Sequence, residues 1–361
     1  MTMKNILMVA GEPSADRHAS QVIRAVRTLD DGVAFFGMGG PAMEASGMEC
    51  VYSMDELSVM GFSDVIPKMG RILKVYQGLT HLMKQRNPDI VVLLDLPDFN
   101  MRIARRAHAH GFRTLYYIAP QAWAWRRSRA EHLSKITNGL AVIFPFEEEF
   151  FRSFGVNARY VGHPIMELAR EMAEVSWPPK RIALLPGSRS HEISQILPVM
   201  LEAKRIVGEK HPEISWLLPV APGLEPGDIE KLVDGDIELT GELPEVDLAM
   251  VKSGTSTLEL AVRGIPEIIC YRTSRINYCI ASSFVKIPHI GMPNIISGKR
   301  IVPELIQHEF TGTRLAEFLL RFIQDRSLFC QTRNAFSHMR DLLGTKKASQ
   351  GVAQWICEML H

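Results

Sequence analysis

The chain has 361 residues, with 41 Lys plus Arg against 40 Asp plus Glu and a formal net charge of +1. That length exceeds one ordinary core and predicts two domains, while so even a balance supplies no global field to hold DNA or RNA, which excludes nucleic acid as a partner. Five cysteines, Cys50, Cys270, Cys279, Cys330 and Cys357, are widely spaced without a Cys-x-x-Cys pair, the pattern of a reducing compartment with neither a disulfide framework nor a zinc site.

The first apolar run, before Gly11-Glu12-Pro13, is too short for a signal-peptide core and reads as a strand. No stretch approaches the roughly 18 apolar residues of a membrane span. Short runs rich in Val, Ile and Leu alternate with helical patterns, as in parallel sheets buried on both faces. Strands are predicted at 6–10, 33–37, 90–95, 114–118, 139–143 and 158–161, then at 181–185, 215–219, 237–239, 248–252 and 267–271. The break at Ser176-Trp177-Pro178-Pro179-Lys180 divides the series, giving domains 1–175 and 176–335 and a helix at 336–361 that packs back across them. The fold class is therefore α/β, two Rossmann-like doubly wound domains facing a cleft, with ligands at the carboxyl ends of the strands.

The turn Gly11-Glu12-Pro13-Ser14-Ala15-Asp16 lacks the Gly-x-Gly-x-x-Gly spacing that admits a dinucleotide pyrophosphate. Asp16 reads as a helix cap, and Glu12 as a carboxylate aimed at the cleft. Gly37-Met38-Gly39-Gly40-Pro41 reads as a tight turn or an acceptor contact rather than a phosphate cradle. Asp95-Leu96-Pro97-Asp98-Phe99-Asn100 ends a strand with two carboxylates, and a sugar hydroxyl attacks well only if such a base accepts its proton. Asp98 can equally cap the following helix. Two carboxylates on one loop are poorly placed to flank a glycosidic bond, which disfavours a glycosidase.

Trp123-Ala124-Trp125-Arg126-Arg127-Ser128-Arg129 joins two indoles to guanidinium groups, a mixture suited to a phosphorylated, partly apolar small substrate, or else a solvated helix start. The segment 60–86 carries an apolar stripe, including Ile66, Met69, Ile72, Leu73, Tyr76, Leu79 and Met83, edged by Lys68, Arg71, Lys74 and Lys84. Such a stripe is either the core face of a surface helix or a membrane-interface contact.

In the second half, Pro186-Gly187-Ser188-Arg189 and Lys252-Ser253-Gly254-Thr255 each leave a strand and open a helix, offering N–H groups, hydroxyls and a guanidinium to a diphosphate. Glu259, one turn further, is placed to accept from ribose hydroxyls. Asp234-Gly235-Asp236 reads as a turn, and no metal is called for. Among twelve scattered histidines, His163 in Gly162-His163-Pro164 is the one placed to face the cleft.

Taken in order, Gly11-Glu12-x-Ser14-x-Asp16, Asp95-x-Pro97-Asp98-Phe99-Asn100, Trp123-Ala124-Trp125-Arg126, Phe144-Pro145-Phe146-Glu147, Gly162-His163-Pro164, Pro186-Gly187-Ser188-Arg189, Ser253-Gly254-Thr255, Met292-Pro293-Asn294 and Pro303-Glu304-Leu305-Ile306-Gln307 resemble the lipid-A-disaccharide synthase family. The resemblance implies a GT-B-type inverting glycosyltransferase joining UDP-2,3-diacylglucosamine to 2,3-diacylglucosamine 1-phosphate. It implies Asp95 as general base with Asp98 and Glu12 as rivals or supports, and an acceptor side at Trp123, Trp125, Arg126 and Arg127. UDP would be held by Ser188, Arg189, Ser253, Gly254, Thr255, Glu259 and Asn294, with no cofactor or metal. It also turns the 60–86 stripe, Ile66, Met69, Ile72 and Leu73 above all, into a membrane or acyl-chain contact. The partners implied are acylated glucosamine lipids and, peripherally, the inner face of a Gram-negative inner membrane, with a homodimer through the C-terminal helices as an option. Ala15 stands where the family pattern usually has glycine, so a positive φ there would carry strain. Two rivals are a UDP-N-acetylglucosamine 2-epimerase-like enzyme, which needs no second sugar, and a non-catalytic UDP-sugar-binding protein.

Overall fold

The computed structural model describes residues 3–57, 65–168, 171–221, 224–274, 278 and 287–361, with the side chains of 65–69 and 168 outside that description. The chain divides into two units, Met1–Glu167 with Thr345–His361, and Leu168–Gly344.

In the first unit the strands are Lys4–Ala10 (β1), Val33–Gly39 (β2), Glu49–Ser53 (β3), Ile90–Leu94 (β4), Arg113–Tyr117 (β5), Gly139–Val142 (β6) and Ala158–Tyr160 (β7). They form a parallel sheet in the order β3-β2-β1-β4-β5-β6-β7. Successive side chains of a strand face opposite sides, so Leu7, Val9, Val91 and Leu93 join one apolar layer while Ile6, Met8, Ile90, Val92 and Leu94 join the other. Helices Pro13–Leu29 (α1), Pro41–Ala45 (α2), Val65–Arg86 (α3), Pro97–Ala109 (α4), Ser128–Ile136 (α5), Pro145–Arg152 (α6) and Ile165–Leu168 (α7) follow in turn. Strand β3 was not predicted: its residues alternate between exposed and half-buried, so no apolar run marks it.

The second unit holds Arg181–Leu185 (β8), Ser215–Pro219 (β9), Ile237–Thr240 (β10), Leu248–Lys252 (β11), Glu267–Tyr271 (β12) and Glu304–Ile306 (β13), parallel in the order β10-β9-β8-β11-β12-β13. Its helices are Ser190–Gly208 (α8), Pro226–Glu230 (α9), Thr255–Val262 (α10), Met292–Ser297 (α11), Gly312–Gln324 (α12) and Arg326–Leu343 (α13). The three-residue β13, opened by a glutamate, was also missed.

The division falls eight residues before the predicted 175/176 boundary, because the Pro-rich stretch is tied into the second unit. Buried Asp247 accepts from the N–H groups of Ser176 (2.6 Å), Lys180 (2.9 Å) and Arg181 (2.9 Å), and Ala173 N–H reaches the Arg263 carbonyl at 2.8 Å. Likewise α13 runs unbroken through 335 and ends at Gly344, φ +63°, so only the last helix, Ala348–Leu360 (α14), belongs with the first unit. Val352, Ala353, Trp355, Ile356 and Leu360 of α14 enter the layer beneath α1, and Glu167 accepts from Ser349 N–H (2.7 Å) and Oγ–H (2.6 Å). Its apolar face is thus buried in its own chain.

Asp16 caps a helix other than its own. Its buried carboxylate accepts from Gly40 N–H (2.9 Å), Ala42 N–H (3.0 Å) and Met43 N–H (3.0 Å), the free donors at the start of α2. The Gly37–Pro41 turn therefore carries an internal carboxylate where a phosphate would otherwise sit. Ala15 lies inside α1, outside the set of positive-φ residues, so the feared strain there is not present. Replacing Asp16 by Ala leaves three N–H groups without acceptors and should cost on the order of 3 kcal/mol in urea denaturation, whereas a loss below about 1 kcal/mol would mean that water replaces the cap.

Candidate active site

The unusual residues of the first unit crown the carboxyl ends of four adjacent strands: Glu12 after β1, Asp95 after β4, the Trp-Arg segment after β5, and Phe144–Glu147 after β6. Asp95 and Leu96 are consecutive left-handed residues, φ +50° and +47°, a conformation costly for side chains with a Cβ. Three hydrogen bonds hold it. Tyr116 Oη–H donates to the Asp95 carbonyl at 2.6 Å, and Asn100 Nδ2 donates at 2.9 Å to the carbonyls of both Leu94 and Asp95. The Leu96 side chain then fills the space beside Gly11, where a Cβ would lie 2.6 Å from Leu96 Cδ2, so the glycine of the first turn is required by the fourth strand's loop. Burial raises the Asp95 pKa and the Glu12 carboxylate adds to the rise, against an opposing hydrogen bond from Leu96 N–H. Glu12 itself is exposed.

Asp98 does not cap α4. It is exposed and pairs with the buried guanidinium of Arg129 at 2.5 Å, which in turn lies 5.0 Å from the Trp125 ring. Arg126, φ +55°, covers Trp125 at 4.5 Å, and both Arg126 and Arg127 face solvent. Trp123 donates its indole N–H to buried Glu147 (2.9 Å), and its ring meets Phe146 edge-on at 5.1 Å. Burial lifts the Glu147 pKa to about 7, against hydrogen bonds from Trp123, Phe144 and Ile143 that favour the charged form. His163 is buried beside the Phe144 ring, and burial together with the nearby His18 lowers its pKa to about 3; it is a neutral ring accepting from Ile165 N–H at 3.1 Å. Of these, Tyr116 and Glu147 had been given no role from sequence, and Arg129, read with its neighbours as a guanidinium for phosphate, is paired with Asp98 instead.

In the second unit the two predicted donor loops follow β8 and β11, which are neighbours in the sheet. Lys252 and Glu192 join them by an ion pair of 2.9 Å, and Glu192 also accepts from Ser188 N–H at 3.2 Å. Burial pushes the Glu192 carboxyl up, but the bonds from Lys252 and Ser188 with the charge of Arg189 outweigh it and leave the pKa lowered. Gly187, φ +123°, leaves room for this carboxylate, which a Cβ would meet at 2.5 Å. Ser188, Arg189, Gly254, Thr255 and Glu259 are exposed at these strand ends. The N–H groups of Thr255 and Ser256 open α10 without a capping side chain.

Two of the expected UDP ligands are engaged elsewhere. Ser253 Oγ–H donates to the Ile290 carbonyl at 2.9 Å, so its one proton is already used. Asn294 is fully buried: its Nδ2 donates to Val302 O (3.0 Å) and Glu304 Oε1 (2.8 Å), while its Oδ1 accepts from Ile301 N–H (2.7 Å) and Val302 N–H (3.0 Å). It builds the loop rather than presenting itself to a ligand. Asp234-Gly235-Asp236 forms a turn whose two carboxylates hold buried Lys204 of α8, Asp234 at 3.7 Å and Asp236 closer.

The described part of the 60–86 stripe is largely core. Val75, Leu79 and Met83 are buried, and Ile72 and Tyr76 pack against the same layer. Ile72 is thus a half-buried contact of the core, while Leu73 is 54% exposed between exposed Arg71 and Lys74. Ile66 and Met69 lie outside the described side chains. Among the described residues no helix is long and apolar enough to cross a membrane.

Two parallel α/β units with this strand order have the fold of GT-B glycosyltransferases. The calicheamicin glycosyltransferase CalG4 superposes with a TM-score of 0.65 at 12% identity, covering 100% of this chain and 99% of that one. Acinetobacter baumannii MurG gives 0.57 at 15%, covering 98% and 99%. A UDP-GlcNAc 2-epimerase from Neisseria meningitidis gives 0.64 at 10%, covering 98% and 100%, so the fold alone does not separate transfer from epimerisation. Sequence does. The family model for "Lipid-A-disaccharide synthetase" matches residues 6–354. The lipid-A-disaccharide synthases of Geobacter sulfurreducens and Myxococcus xanthus are 36% and 37% identical, over 99% and 98% of this chain and 98% and 97% of theirs. The chain belongs to the lipid-A-disaccharide synthase family, and it is a glycosyltransferase. Removing the Tyr116 hydroxyl with Tyr116→Phe should cost only about 1 kcal/mol of stability yet slow transfer roughly tenfold by loosening the Asp95 loop; an unchanged rate would show that Asn100 holds the loop alone.

Proposed function

We propose that the enzyme transfers the diacylglucosamine unit of UDP-2,3-diacylglucosamine to the 6-hydroxyl of 2,3-diacylglucosamine 1-phosphate with inversion, giving the β-1,6 disaccharide 1-phosphate and UDP, without a metal cofactor. The Asp95 carboxyl carries the reading: it is half-shielded and raised in pKa, on a backbone that Tyr116 and Asn100 hold through the Asp95 carbonyl. As the acceptor oxygen bonds to the anomeric carbon, its proton passes to Asp95. The anomeric bond to UDP breaks, and its electron pair leaves with the diphosphate. Asp98, committed to Arg129, is the poorer base, and Glu12 supports Asp95 by raising its proton affinity. Thr255 and Ser256 N–H with Arg189 offer donors to the growing charge on the diphosphate, and Glu259 accepts from the ribose. Arg126 and Arg127 suit the acceptor's 1-phosphate.

Asp95→Asn should lower turnover by about 10²- to 10⁴-fold with UDP affinity unchanged. The wild-type rate should fall as pH drops through the raised Asp95 pKa, an acid limb lying above the ordinary carboxylate value of about 3.9 and lost in the variant. A normal rate in Asp95→Asn would move the base to Glu12. No disaccharide from detergent-dispersed substrates in the wild type would remove the substrate assignment and favour a non-catalytic binder.

The substrates' acyl chains require a membrane source, and we place the contact at Leu73 with Arg71 and Lys74, peripherally on the cytoplasmic leaflet of the inner membrane. Leu73→Ser should reduce co-sedimentation with anionic vesicles at unchanged thermal stability; unchanged sedimentation would put the contact elsewhere.

A further inference from the structure

Glu147 is a fully buried carboxylate with no charged partner among the described residues, and both of its oxygens accept from N–H groups. Oε2 accepts from Ile143 N–H (3.2 Å) and Phe144 N–H (3.1 Å), and Oε1 accepts from the Trp123 indole N–H (2.9 Å). The bonds through Oε2 are those of a glutamate in the third position of a helix, a role that an exposed side chain fills as well. Burying a carboxylate is costly, and capping alone does not call for it. The second oxygen accounts for the burial: it reaches from the first turn of α6 to a residue in the loop after β5.

The indole is fixed from another side too. Its edge meets Phe146 at 5.1 Å and an interplanar angle of 89°, and Phe146 stacks on Phe144 at 5.6 Å and 7°. Between Ile118, φ +63°, and Arg126, φ +55°, the segment bearing Trp123 has no regular helix or strand to stiffen it. Trp123 is only half-buried, so one part of the ring is anchored and the rest is available to a ligand. An indole held in this way is a flat apolar wall, suited to the face of a pyranose ring and the root of an acyl chain.

We propose that Glu147 is a positioning residue for acceptor recognition: through the indole N–H it holds Trp123 as the wall against which the acylated acceptor sugar lies. This rests on the acceptor assignment made above. It predicts an effect confined to the acceptor, because the donor loops belong to the other unit.

The test is a double-mutant cycle of Glu147→Gln and Trp123→Phe on the full chain, with KM measured separately for the diacylated 1-phosphate acceptor and the UDP donor. Each single variant should raise acceptor KM roughly tenfold and leave donor KM unchanged, and the double variant should be no worse than the more impaired single one. Trp123 emission, taken as the wild-type minus Trp123→Phe difference, should shift to the red and become more accessible to acrylamide in Glu147→Gln. This reading needs no turnover, so it stands even where the substrate assignment fails. Additive losses, equal rises in both KM values, or unaltered Trp123 emission would overturn the proposal. Should Glu147→Gln fail to fold, an unchanged acceptor KM in Trp123→Phe overturns it alone.

Discussion

The first unit's chemistry depends on a backbone reversal at the end of β4, where Asp95 and Leu96 both occupy left-handed space. Such residues cost of order 1–3 kcal/mol each, and the three hydrogen bonds from Tyr116 and Asn100, at about 1 kcal/mol apiece, offset a cost of similar size. The arrangement is therefore held by tertiary restraint rather than by local preference. It also couples distant segments: Leu96 can turn inward only because residue 11 is glycine, and the loop that places Asp95 thereby also fixes the start of α1, where Glu12 stands.

A second theme is the use of the chain's own carboxylates on free backbone N–H groups. Asp16 at α2, Glu147 at α6, Glu192 after β8, Asp247 at the Pro-rich stretch and Glu304 at the loop before α11 each do for the fold what a phosphate would do as ligand. This sorts the strand ends. Where a carboxylate already accepts, as at Gly40 and Gly291, those donors are taken; at Thr255 and Ser256 no side chain among the described residues caps the helix.

Most strands were legible because strands buried on both faces are apolar throughout, whereas β3, at a sheet edge, alternates between exposed and half-buried residues and β13 is three residues long and opens with a buried glutamate. The site was legible by type more than by role. Asp16 was rightly read as a cap, but its target lies 24 to 27 residues away, beyond any local pattern. Asn294 shows the opposite failure: a residue in a family motif was given to the ligand when all of its hydrogen bonds close within the chain. For Glu147 one signal existed, a glutamate three residues into a helix opened by Phe144-Pro145, which announces a capping box but not the indole beyond it. The apolar stripe of α3 carried too little information to separate core from membrane, since both demand the same periodicity and only the neighbouring layer decides.

The fold is common to sugar-nucleotide epimerases and glycosyltransferases, with identities of 10–13% to the former and 12% to CalG4, so the difference in chemistry must reside in what surrounds the anomeric carbon. Both reactions need the departing diphosphate to be stabilised, a role that the proposed donor loops after β8 and β11 would fill for either. A reaction with no acceptor, however, has no use for a rigid aromatic wall edged by exposed guanidinium groups. Trp123, Trp125, Arg126 and Arg127 form such an edge in the loop after β5, the strand next to the one that Asp95 follows; on the proposed function this puts the base and the surface for a second sugar within the same unit. On that proposal donor recognition is retained across the fold while the acceptor's chemistry is set by the loops after β4, β5 and β6.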